Sequence, residues 1–107
     1  MKTQTRNQKR GRRSTRYRAY QNKVRKLTRE QNLPKFYGHT IDHIVPVNRC
    51  FKWDIPAEDA ASLRNLQVIP FQQNIHKGTV VWGEDNPDPQ RAEWGRMQKE
   101  ILAEWGF

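Results

Sequence analysis

Between His39 and Gly78 the chain reads HTIDHIVPVNRCFKWDIPAEDAASLRNLQVIPFQQNIHKG, and this stretch constrains everything around it. Residues 39–45 are rich in Thr, Ile and Val, which suit a half-buried strand. Pro46 ends the run, because proline brings no N–H to a ladder. Residues 65–70 read as a second strand, with Leu66, Val68 and Ile69 apolar. Residues 71–78 read as a short helix closed by Gly78, since glycine is the residue that most readily ends a helix in left-handed backbone. Residues 47–63 connect the two strands, and a connection of that length usually serves a function. Phe51, Trp53 and Ile55 alternate there and should fold back onto a small core, with a turn of helix near Ala57 to Ser62. The expected order is strand, long connection, strand, short helix.

The flanks read as helices. Residues 14–31 place Tyr17, Tyr20, Val24 and Leu27 on one narrow apolar stripe. Ser14 or Thr15 can cap this helix. Arg16, Arg18, Lys23, Arg25, Lys26 and Arg29 cover its other faces, and Leu33 before Pro34 marks where it must have stopped. Tyr17 and Tyr20 are expected in the core. Residues 1–13 carry almost no apolar side chain, so nothing offsets the entropy of ordering them. They are expected to form a disordered basic arm. At the other end, residues 79–87 form a connector, with a short strand open at Thr79 to Trp82. Asp88 then caps a last helix that has Pro89 at its first position. Trp94, Met97, Ile101 and Trp105 give that helix an apolar stripe, expected to cover the rest of the domain. Gly95 inside it costs about 1 kcal/mol against alanine.

Charge divides the chain in two. Residues 1–35 hold 13 of the 20 Lys and Arg and one acid, Glu30, a net +12; residues 36–107 hold 7 basic and 10 acidic residues, a net −3. The charge that would bind a polyanion therefore sits in the first third, with Arg10, Arg12 and Arg13 in the arm. At 107 residues and 35% hydrophobic, the chain is one small domain over 14–107 behind its arm. The single cysteine, Cys50, can form no internal disulfide, is expected as a buried structural thiol, and fits a reducing cytoplasm. No apolar run of about 18 residues exists to span a membrane, and no apolar segment follows the basic N-terminus as a secretory signal would require.

The chemistry-bearing residues fall inside the central stretch. Asp42 and His43 precede Ile44-x-Pro46, then come Asn65-Leu66-Gln67, then Asn74-x-x-Lys77. A carboxylate holds a hard cation through oxygen. A histidine near its ordinary pKa takes a proton from water, and a lysine can meet a phosphate. Neighbours on a regular strand point to opposite faces, so Asp42 and His43 converge only where the strand bends or ends. His39 shares a side with His43 and is read as a strand-start residue. His76 lies about 200° around the helix from Asn74, so the two compete as ligands: either Asn74 binds the ion or His76 does. Lys77 either contacts phosphate or is a cation favoured by the helix dipole.

The ordered set D-H-I-x-P, N-L-Q, an asparagine nine residues after Asn65 and a lysine three further on resembles the HNH endonucleases. The resemblance covers roughly residues 37–80. It implies a ββα-metal finger at that core, flanked here by the basic helix and the C-terminal helix, in an α+β fold. It implies that Asp42 is a metal ligand, His43 the general base, Asn65 a clamp on the loop and Asn74 the second metal ligand. Asparagine at 74 gives the H-N-N variant of the motif. The C-x-x-C pairs that bind structural zinc in many members are absent, with Pro70 and Gln73 where one pair would fall. Oxygen ligands favour Mg²⁺ or Mn²⁺.

The function so implied is divalent-metal-dependent hydrolysis of DNA phosphodiester bonds. One Asp42/His43 pair and no internal repeat imply nicking by a monomer. Small free-standing members are often phage-borne and serve packaging or mobile elements, which would place this chain in the cytoplasm of a bacterial host. Two other classes remain open: a nucleic-acid-binding module without catalysis, and a structural protein of a ribonucleoprotein or phage particle.

Overall fold

The computed structural model describes the backbone from Lys2 to Phe107 and the side chains of residues 15–107. The helix expected to start at residue 14 starts at Lys2, so residues 2–13, expected as a disordered arm, continue α1, while the side chains of Arg10, Arg12 and Arg13 lie outside the described ones. In chain order the elements are α1 (Lys2–Glu30), β1 (His39–His43), α2 (Val47–Lys52), α3 (Ala57–Ala60), a 3-10 turn (Leu63–Asn65), β2 (Leu66–Pro70), α4 (Phe71–Lys77) and α5 (Pro89–Glu104). The fold is α+β: among the described residues, five helices surround one two-stranded antiparallel sheet.

The sheet is short because each strand runs into chain that cannot continue it. The register pairs His39 with Pro70, Ile41 with Val68, Asp42 with Gln67 and His43 with Leu66. Prolines then start helices. Pro46, Pro56 and Pro70 stand directly before α2, α3 and α4 with φ of −60°, −57° and −56°, the value their rings impose. The connection 47–63 is therefore more regular than the sequence suggested. The turn of helix expected near Ala57 is α3, but α2 was not foreseen, since six residues are too few to show a helical period. The strand left open at Thr79–Trp82 does not form.

The core lies beside the sheet, not on it. Val24 of α1, Ile44 and Val45 just past β1, Cys50, Ile55, Ala57, Ala60 and Ala61 of the connection, and Ile101 of α5 form one buried cluster. Each large aliphatic side chain so buried contributes roughly 1.5–3 kcal/mol. Tyr17 and Tyr20 pack against Phe51 with ring centroids 5.1 and 5.4 Å apart, and the Tyr20 hydroxyl donates to Ile55 O at 2.7 Å. Both tyrosines thus serve packing. Burial pushes the Cys50 thiol up to about 12, which leaves it a small apolar filler.

On α5, the Asp88 side chain caps Gln90 N at 2.9 Å. Trp94 and Ile101 are buried, and Met97 and Trp105 are at least partly so, which covers the stripe within the chain. Gly95 has a reason: a Cβ there would sit 2.5 Å from Trp82 O, so only glycine lets α5 approach the 82–83 backbone. Among the described residues no helix is long and apolar enough to cross a membrane.

Candidate active site at the end of the first strand

Where the ladder stops, the backbone of residues 43–45 must find other partners. Three fully buried side chains from three separate parts of the chain supply them. Lys77 Nζ, at the end of α4, donates to His43 O at 3.1 Å. Gln98 Nε2, in α5, donates to Ile44 O at 2.9 Å. Asn65 Nδ2 donates to Val45 O at 3.1 Å and to Ala60 O at 2.9 Å, while its Oδ1 accepts from Val45 N at 2.7 Å. Ile44 N donates to the backbone oxygen of Asn65 at 2.8 Å. Residues 43–45 are thus held as a fixed elbow, with Asn65 spanning the long connection from β2 back to β1.

The elbow sets Asp42 and His43 on different neighbours around one cleft. Asp42 turns toward α4: its Oδ1 lies 3.3 Å from Lys77 Nζ, and its Oδ2 accepts from Gln67 Nε2 at 2.9 Å. His43 turns toward α1, where its Nε2 lies 3.0 Å from Thr28 Oγ1. Both still border a cleft of about 370 Å³ shared with Asn74, Asn48 and, on the α1 side, Tyr17 and Gln21. An adjoining groove of about 340 Å³ brings Arg25, Thr28 and Arg29 of α1 alongside Ile41 and His43.

Burial governs the electrostatics. It raises the Asp42 carboxyl above its ordinary value despite the opposing pull of Lys77 and the Gln67 hydrogen bond, and it lowers Lys77 despite Asp42. At each group burial outweighs the partner, while the partner still favours the charged form. His43 is lowered to about 4, first by burial and then by the Lys77 charge. It is therefore a neutral imidazole at pH 7, not the near-neutral titrating group expected from its type.

The expected residues are thus distributed as follows. Asp42, His43 and Asn74 meet at one cleft. His76 does not: it pairs with Asp88 and packs on Trp94 at 5.9 Å between centroids. Of the two competing ligands, Asn74 is the one on the cleft. Lys77 corrects an expectation. It is 0% exposed, bound to Asp42 and His43 O, and cannot meet a phosphate from that position. His39 is exposed and bonds Tyr37 O at 3.0 Å, four residues from the cleft end of β1. Arg16, Arg18, Arg25, Lys26 and Arg29 are exposed along α1, whereas Lys23 is ion-paired with Glu58 of α3 at 3.1 Å.

Sequence reasoning gave no role to Gln98, Gln67 or Thr28. A signal existed for two of them. Gln98 interrupts the apolar face of α5 between Trp94 and Ile101, and Thr28 lies one turn beyond Val24 on the stripe side of α1. A polar residue on an apolar face must find a buried partner.

A divalent cation is tested by the donors present. Asp42 offers a carboxylate, Asn74 an amide oxygen, and both border the same cleft. Among the described residues no three His, Cys, Asp or Glu side chains come together, so no thiolate or multi-histidine site is formed. A carboxylate and an amide oxygen are the donor types a hard ion such as Mg²⁺ takes, and here both Asp42 oxygens are already held by Gln67 and Lys77. Comparison with protein-family models, with characterised proteins and with solved structures finds no match to this chain.

Proposed function

We propose that the chain is a divalent-metal-dependent DNA endonuclease of HNH type, with β1, β2 and α4 as its ββα-metal finger. The observation that carries this reading is the meeting of Asp42, His43 and Asn74 at one cleft whose neighbouring wall is the basic helix α1. Asp42 and Asn74 would hold Mg²⁺ or Mn²⁺, which when bound supplies charge to the phosphate oxygens and to the leaving oxygen. His43, neutral at pH 7, accepts the proton of the attacking water. Asn65, Gln98 and Lys77 hold the elbow that presents it. Lys77 opposes the protonation of Asp42 that burial favours. Arg25 and Arg29 border the groove beside His43 and offer charge to the flanking phosphates.

One observation favours a second reading. Both Asp42 oxygens already have protein partners, so Asp42–Lys77 serves equally well as a buried pair fastening α4 to the sheet in a binding module without catalysis. A supercoiled-plasmid assay with Mg²⁺, with Mn²⁺ and with EDTA separates the two. Divalent-dependent cleavage that His43→Ala abolishes, with DNA binding intact, supports the nuclease. Binding without cleavage in either metal overturns it.

A further inference from the structure

His43 has two ring nitrogens, and the structure decides which of them can take a proton. Thr28 is buried in the last turn of α1, and its Oγ1 lies 2.7 Å from Val24 O, one turn earlier. Two oxygens that close repel unless a proton lies between them, and the carbonyl has none to give. The Thr28 hydroxyl must therefore donate to Val24 O. A hydroxyl has a single proton, so only lone pairs remain to face His43 Nε2 at 3.0 Å. That contact is a hydrogen bond only if Nε2 carries the hydrogen. A neutral imidazole carries one N–H, which leaves the lone pair on Nδ1. Among the described residues Nδ1 has no hydrogen-bond partner of its own.

We infer that Thr28 is a positioning residue: its hydroxyl, fastened to Val24 O, holds His43 as the Nε2–H tautomer and reserves Nδ1 as the proton acceptor at the cleft. The catalytic sense of this inference rests on the nuclease reading; the tautomer does not. In that setting the water proton goes to Nδ1, and the resulting imidazolium keeps its Nε2–H bond to Thr28 throughout. The bond also makes α1 part of the site. The helix that carries the basic charge is the one that orients the base, so DNA contact along α1 is coupled to His43 through Thr28.

Long-range ¹H–¹⁵N correlation spectra of the full chain, labelled with ¹⁵N-histidine and recorded near pH 8, test the assignment without any cleavage. The His43 signals are identified by their loss in His43→Gln. They should show the Nε2–H pattern in the wild type and in Thr28→Ser, which keeps the hydroxyl. In Thr28→Val, which keeps the shape and loses the acceptor, the pattern should become mixed. Alongside this, Thr28→Val should lower kcat about tenfold, the scale of one hydrogen bond, with KM for DNA unchanged and with Thr28→Ser restoring the rate. An Nδ1–H pattern in the wild type, or a tautomer unchanged in a folded Thr28→Val protein, overturns the inference. The expected tautomer and its loss in Thr28→Val, with no cleavage by any variant, would uphold the hydrogen bond and overturn the nuclease reading instead.

Discussion

His43 and Lys77 carry the sharpest residue-scale consequences. The folded-state pKa of His43, about 4, lies below its ordinary 6.5. As pH falls, the unfolded chain therefore binds its proton first. The stability contributed by the neutral buried ring is complete above about 6.5 and is lost as pH falls toward 4, at up to about 1.4 kcal/mol per pH unit. Urea unfolding at pH 7.5 and 4.5 should show that loss, and His43→Gln should flatten it. The acid limb of kcat/KM in a cleavage assay should likewise fall near pH 4–5, not near 6.5. Cleavage should drop by about 10²–10⁴ in His43→Ala, the usual worth of a general base. Lys77→Met would leave Asp42 buried without its cation and should cost about 3–5 kcal/mol. In Asp42→Asn/Lys77→Met much of that should return. Since Lys77 is 0% exposed, the Asp42→Asn/Lys77→Met protein should bind DNA with an unchanged salt slope; a slope reduced by about 0.9 would mean that Lys77 reaches a phosphate after all.

Between elements, the elbow at residues 43–45 depends on α5 as much as on α4 and the turn before β2. Gln98 bonds Ile44 O, Val80 O and Trp82 N, so Gln98→Leu strips one buried and two part-buried backbone groups of their partner. The loss should be about 1–3 kcal/mol for each group left unsatisfied, read as a lowered urea midpoint. Under conditions where the variant stays folded, kcat should fall while DNA affinity holds, because Gln98 is fully buried and acts by positioning the elbow. The basic helix α1 should behave in the opposite way. Arg25→Gln and Arg29→Gln together should weaken DNA binding and reduce the log–log salt slope by about 0.9 for each lost phosphate contact. Wild-type affinity in that double variant would remove the α1 groove from the DNA path.

Among the described residues Asp42, His43 and Asn74 line one cleft, and the α5 stripe is at least partly covered within the chain; on the nuclease reading, one chain therefore presents one cutting site. One site reaches one strand, and the opposite strand runs antiparallel with its phosphates turned otherwise. With enzyme well below plasmid concentration, open-circle DNA should appear first and linear DNA only later. Linear product from the earliest times would show paired sites and a two-fold dimer.

Much of this was legible in the residues themselves, for a physical reason in each case. Pro46 had to lie beyond the first strand, Gly78 had to end α4, and Asp88-Pro89 had to start α5, because backbone geometry at those positions is local. Helical periodicity likewise marked the packed stripes of α1 and α5. Tertiary structure alone decided three things: that Lys77 turns inward to Asp42 and not outward to solvent, that His76 leaves the cleft for Asp88, and that Gln98 and Thr28 belong to the site. Each depends on which elements meet across 12 to 54 residues of chain. No local rule carries that information, since a polar group is placed by the partner that can satisfy it once water has been excluded.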